Sequence, residues 1–144
     1  MFDGQRAVAS PTKSAFGLTG GTTYRPWIFD GWVGSSATPA DNSIEWLFQR
    51  YTAAGTSTAV TPSPLDPGDP ACTSTAGINH TVEPTYTAGL ILWHLALNQR
   101  ATQRFQFDPD APLVIPATAS NGIGGQPINA TFTGTVDFGV YFAE

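Results

Sequence analysis

The side chains best able to act on protons, metals or acyl groups are few in this chain and widely spaced. The only histidines are His80 and His94. His94 stands inside the apolar run AGLILWHLAL (88–97), where a lone imidazole reads as a hydrogen-bonded core or interface residue rather than a general base. His80, in GINHTVEPTY, reads as a surface residue of a loop. No H-x-x-H, no cysteine pair and no histidine–carboxylate cluster is present, so zinc has no ligand set. The carboxylates come closest together in LDPGDP (Asp66, Asp69) and FDPDAP (Asp108, Asp110). Either pair would touch a calcium ion, but neither brings the roughly six to eight oxygens that calcium takes. Beside proline, both pairs read as turn-formers. Serine and threonine are plentiful, yet G-x-S-x-G is missing and no triad follows from spacing. GIGGQP (122–127) has the glycines of a phosphate loop without its lysine or its helix, and reads as a turn. Cys72, the single cysteine, has no intramolecular partner, and Ala71 and Thr73 beside it supply nothing to activate it. No catalytic residue, metal or cofactor is expected, and the chain is not expected to be an enzyme. The residues point to a protein that works by contact.

The bulk composition agrees with contact. Charged residues are 12% of the chain, about half the usual share, while apolar residues are an ordinary 41%. Two readings fit so uncharged a surface: a Ser/Thr-rich β-protein, or a surface largely covered by other chains. The net charge of −5 includes no basic cluster, which gives nucleic-acid binding no electrostatic footing. The lone thiol fits synthesis in a reducing compartment. MFDGQRAVASPTKS lacks the apolar run of a signal peptide, and the stretch 88–97 is about half of what a membrane span needs. Export by a secretory signal and membrane insertion are therefore not expected. Asn79-His80-Thr81 and Asn129-Ala130-Thr131 match the glycosylation sequon, by chance if no such signal operates.

The elements that position these residues read as strands. In ATFTGTVDFGVYF (130–142), Phe132, Val136, Phe138, Val140 and Phe142 share one parity and Thr, Asp and Tyr side chains the other, the mark of a half-buried strand. Leu113-Val114-Ile115 is a short strand closed by Pro116. Asn121-Gly122 and Gly124-Gly125 then predict a turn. GQRAVAS (4–10), SAFGLTG (14–20), YRPWIFDGWV (24–33) and RFQFD (104–108) are further strand candidates. DNSIEWLFQRYTAAG (41–55) fits both periods, and GLILWHLALNQR (89–100) is apolar on both parities, as in a strand buried on both faces or a buried helix. Their Thr-, Gly- and Pro-rich flanks favour strand for both. Many short strands between Gly/Pro turns imply one all-β domain over 1–144, an antiparallel β-sandwich, jelly-roll-like.

One region resists this pattern. From about 53 to 87 the chain is expected to be a long extended loop or arm. TAAGTSTAVTPSPLDPGDPA (52–71) carries Pro62, Pro64, Pro67 and Pro70, which fix φ near the polyproline value and remove donors. Ordering costs about 1–2 kcal/mol of backbone entropy per residue, so an ordered arm needs a surface, its own domain's or a neighbour's. Pro62, Pro64, Leu65 and Pro67 are candidate partner contacts on it. Trp27 and Trp32, in RPWIFDGWVG, are further candidates, as buried core or interface rings or as an aromatic platform for sugar.

Three blocks, YTAAGTSTAVTPSPLDPGDPA (51–71), HTVEPTYTAGLILWHLALNQRATQRF (80–105) and PLVIPATASNGIG (112–124), with the closing VYFAE (140–144), resemble small proteins encoded among the virion genes of tailed bacteriophages, identified as head-decoration or cement proteins. The resemblance spans roughly 50–144, and nothing is carried over to residues 1–40. It implies a β-sandwich or jelly-roll subunit on the outer capsid surface, made in the host bacterial cytoplasm. Its partners would be the phage major capsid protein and copies of itself, as a dimer or trimer. The arm, the loop 116–127 and the exposed aromatics would make the contacts. A tail or fibre component, or a carbohydrate-binding module for host attachment, is the alternative.

Overall fold

The computed structural model describes residues 1–8, 13–128, 132 and 134–144. The sequon at Asn129–Thr131, the end of the candidate strand 4–10 and the start of 130–142 fall outside these residues. The described chain is all strand and turn, with no helix. In order the strands are β1 (Phe2–Val8), β2 (Phe16–Thr19), β3 (Trp27–Ser36), β4 (Ser43–Ala53), β5 (Thr56–Val60), β6 (Thr75–Val82), β7 (Thr85–Asn98), β8 (Gln103–Gln106), β9 (Leu113–Val114), β10 (Gly122–Pro127) and β11 (Gly134–Ala143). One sheet runs β1-β11-β3-β8, with β9 also on β3, and the other runs β5-β6-β2-β10-β4-β7. Every pairing is antiparallel, and the two sheets pack face to face as a β-sandwich.

Alternation builds the core. On β11, Val136, Phe138 and Val140 are fully buried, and on β4 so are Ile44, Trp46 and Phe48. The period of two therefore wins over the helical spacing in 41–55, because Trp46 joins Ile44 and Phe48 in the core only in a strand, which turns Leu47 to the other face. Across the sandwich Phe16 meets Phe138 at 5.0 Å between ring centroids, and Phe48 meets Phe105 edge-on at 4.9 Å. Arg50, at the end of the same face of β4, spans the gap and donates from Nη1 to the Val114 carbonyl at 2.7 Å.

Three expectations change. GIGGQP is strand β10, in the middle of its sheet, rather than a turn. Its glycines make room for rings. A Cβ on Gly125 would overlap the Phe16 ring on the core side, and on the outer side a Cβ on Gly122 or Gly124 would overlap Tyr51 or the Tyr86 hydroxyl. The region 53–87 is narrowed: β5 and β6 lie inside it, and the irregular part is 61–74. Thr and Val in TSTAV and the alternation of Ala76, Ile78 and His80 are strand signals that the prolines between them masked. The run 89–100 is a strand, but an edge strand rather than one buried on both faces. Leu90 is 46% exposed and Ile91 50%.

The six-stranded sheet has an unusual construction. Tyr51↔Tyr86, Ala53↔Thr85 and Thr56↔Val82 are successive pairs, so β4–β5 and β6–β7 form one long two-stranded ribbon. The ribbon folds over at Gly55, whose φ is +70°, and at Glu83-Pro84. One half then flanks β10 and the other flanks β2, and the bend crosses the outer face between them. Gly55 is needed there, since a Cβ would strike the backbone of Val82 and Glu83.

Candidate functional site

Where the ribbon crosses, the fold gathers polar groups that the sequence scatters. The Ser14 hydroxyl, fully buried, donates to Glu83 Oε2 at 2.7 Å, and the Ser14 N–H donates to Glu83 Oε1 at 2.8 Å. With that hydrogen committed, the Tyr86 hydroxyl donates to Ser14 Oγ at 2.6 Å. The Thr19 and Tyr51 hydroxyls bond at 2.7 Å, and Arg6 Nη1 donates to the Ser14 carbonyl at 3.0 Å. Burial pushes the Tyr51 phenol up to about 12, against the opposing Thr19 bond, and burial raises Tyr86 as well.

His80 belongs to this cluster rather than to the surface. It is 1% exposed, its ring lies against Gly17 of β2, and Nδ1 has no hydrogen-bond partner among the described residues. Burial holds its pKa below 6.5, with the Ser14 carbonyl pulling the other way. Serine, histidine and carboxylate thus sit close together. A hydrolytic triad needs the serine hydroxyl given to the imidazole, whereas here it is given to the carboxylate. The geometry is that of a latch holding the crossing ribbon to the sheet. Ser14 and Glu83 lie 69 residues apart, and no local pattern announces the pair.

The sequence-derived contact residues lie at the opposite extreme of exposure. The segment 61–74 stands off the sandwich but is pinned at both bases. Ser63 N–H donates to the Met1 carbonyl at 2.8 Å, and the Met1 amino group returns a bond to the Ser63 carbonyl at 2.7 Å. At the other base the Glu144 carboxylate accepts from Ser74 N–H at 3.0 Å, from the Ser74 hydroxyl at 2.5 Å and from the Thr73 N–H. At the tip Asp66 accepts from Gly68 N–H at 2.8 Å through its side chain and from Asp69 N–H at 3.0 Å through its carbonyl. Asp108 makes the same kind of turn with Asp110 and Ala111. Both carboxylate pairs therefore act as turn-formers. No cluster of three metal-ligating side chains occurs among the described residues.

Between this segment and the chain ends lies a recess of about 710 Å³, walled by Pro62, Pro64 and Leu65 on one side and Tyr24, Phe29 and Phe142 on the other. Leu65 is 63% exposed at its rim. Pro62, Pro64 and Leu65 are thus brought together, while Pro67 sits at the exposed tip. Trp27 stacks at a tilt on Phe29, 5.4 Å away, behind the recess. Trp32 is elsewhere, half-buried, with its ring where a Cβ of Gly139 would be. The two tryptophans do not share one platform. Of the loop 116–127, only 116–121 remains outside the sheet. His94 stands on the outer face of β7, half-exposed, with Nε2 3.0 Å from Glu45 of β4, and is not a core residue.

Comparison with family models, with curated proteins and with solved structures found no match to this chain.

Proposed function

We propose that this chain is a structural virion protein, a jelly-roll-like capsid decoration subunit that binds the major capsid protein of a tailed phage and stabilises the head. The observation that carries the reading is the pinned segment 61–74. It presents Leu65 and three of the four prolines of 62–70 as a preformed apolar surface, on a chain with only 12% charged residues. Proline has already given up backbone freedom, and the bonds to the chain ends hold both bases, so docking loses little further entropy. Many small contacts repeated over a shell then gain by multivalency and oppose outward pressure from packaged DNA. The resemblance of 51–71 and 80–105 to phage virion proteins supports the same reading.

The test is co-sedimentation with DNA-free heads of a phage whose genome encodes this chain. The wild-type protein is expected to pellet with heads, and Leu65→Asp to lose at least tenfold in affinity, since burying a carboxylate costs more than about 1.4 kcal/mol. Wild-type protein that pellets with purified tails, or with neither particle, refutes the capsid assignment.

A further inference from the structure

β7 is an edge of the six-stranded sheet, with β4 on one side and no strand on the other among the described residues. The sheet's other edge, β5, is only five residues long, TSTAV. In the opposing sheet β1 carries Asp3 and Arg6, and β8 carries Arg104. β7 is the longest strand, and TYTAGLILWHLALN contains no Lys, Arg, Asp, Glu or Pro. Charge and proline are what keep free edges from pairing. The first half of β7 is broken by register shifts opposite Phe48–Ala53 and by Gly89 at φ +76°, but Trp93–Asn98 run in regular register against Ser43–Phe48.

The ladder says which backbone groups are free. Gln99 N–H donates to the Asn42 carbonyl at 2.8 Å, one pair beyond Ser43↔Asn98. Antiparallel alternation then turns the N–H and C=O groups of Trp93, Leu95 and Leu97 toward β4, and those of His94, Ala96 and Asn98 outward. The Asn98 carbonyl is taken by Ala101 N–H at 2.9 Å, which closes the turn. His94 and Ala96 remain, symmetric about Leu95.

We propose that β7 pairs antiparallel with β7 of a second copy, about a two-fold axis through Leu95 that makes the two six-stranded sheets continuous. His94 of each copy falls opposite Ala96 of the other, and each such pair exchanges two N–H···O bonds. On the core side Leu95 meets its own counterpart, and Trp93 meets Leu97 of the second copy. All three are only partly buried in one copy. The charges permit this register. The one imidazole on the strand faces a methyl group, already has Glu45 at 3.0 Å, and opposes no like charge. An isologous contact of this kind closes on itself and leaves the segment 61–74 free. The pairing is independent of shell binding by that segment, so either can fail alone.

Sedimentation velocity of the purified chain tests the proposal. The wild type is expected at twice the 15.2 kDa chain mass. Ala96→Pro removes an outward N–H without touching the β4 ladder, and Ala96→Lys sets a cation opposite His94. Both are expected at the monomer mass, with a thermal midpoint that no longer rises with protein concentration as that of the dimeric wild type does. In a Cys72→Ser background, Leu95→Cys is expected to form an interchain disulfide on oxidation, as the register brings this residue onto its counterpart. A wild type that stays monomeric up to its solubility limit overturns the proposal, as does a dimer that survives Ala96→Lys. A monomer whose Ala96→Lys variant binds heads more weakly assigns the edge to a shell protein and overturns the self-pairing equally.

Discussion

Gly124 shows how a residue that reads as a turn becomes a packing device. A Cβ there would meet the Tyr86 hydroxyl, with the ring carbon behind it at 3.1 Å. Gly124→Ala is therefore expected to lower unfolding free energy by about 1–3 kcal/mol in urea titration, the usual cost of overpacking. Tyr86→Phe removes the offending oxygen, so the double variant should lose clearly less than the sum of the two; strict additivity would show that the close approach is not the cause. The histidines make the same point about context. His94 is flanked by Trp93 and Leu95 yet half-exposed, and His80 is flanked by polar residues yet buried. Neighbours in sequence describe the strand's composition. Which side of the strand is covered depends on an element some seventy residues away.

At the scale of elements, the ribbon crossing is held by one carboxylate. Glu83 takes both the N–H and the hydroxyl of Ser14, a fully buried residue. Glu83→Ala should cost about 1–3 kcal/mol by leaving buried donors unpaired, and Glu83→Gln, which keeps one acceptor, should cost less. Hydrogen exchange distinguishes a latch from a general loss of stability. The Ser14 amide should exchange much faster in Glu83→Ala than the amides of β11, and equal acceleration of both would count against a local latch. β11, with its clear alternation, was legible from sequence, and β4, which fitted both periods, was assigned as a strand by its flanks. β5 and β6 were not, because the prolines at 62, 64, 67 and 70 drew the whole interval into one irregular segment. β10 was not, because its glycines carry no alternation and take their meaning from Tyr51, Tyr86 and Phe16.

Two buried titratable groups, one neutral and one charged, shape how the whole molecule responds to acid. His80 titrates below 6.5 in the fold because burial disfavours its cation, so the unfolded chain takes up the proton first. Its contribution is complete above about pH 6.5 and is lost as pH falls below that value. Asp30 is held below 3.8 by the bonds from Arg104, so its contribution is present above 3.8 and lost as pH falls through the lower folded value. The urea midpoint should fall as pH drops below 6.5 and fall again below 3.8. His80→Gln should remove the first decline and Arg104→Gln weaken the second. A midpoint that holds steady through pH 6.5 would mean that His80 is not neutral in the fold.

The sequence by itself determined the class of fold. Alternation in 130–142, short apolar runs and frequent Gly/Pro breaks leave little but an antiparallel sandwich, because a period of two sorts side chains between a core and a second face whatever the topology. It also showed that Asp66 and Asp108 shape turns, since a carboxylate beside proline bonds its own backbone. Three of the four candidate contacts at 62–67 prove to share one recess, but their companions Tyr24, Phe29 and Phe142 come from distant parts of the chain and carry no local mark. Tertiary structure alone decided that β4–β5 and β6–β7 are one folded ribbon, that Ser14, His80 and Glu83 meet beneath it, and that β7 lies at an edge. Strand order is set by pairings between residues dozens of positions apart, and periodicity, a local quantity, is the same for a strand at the centre of a sheet and a strand at its rim.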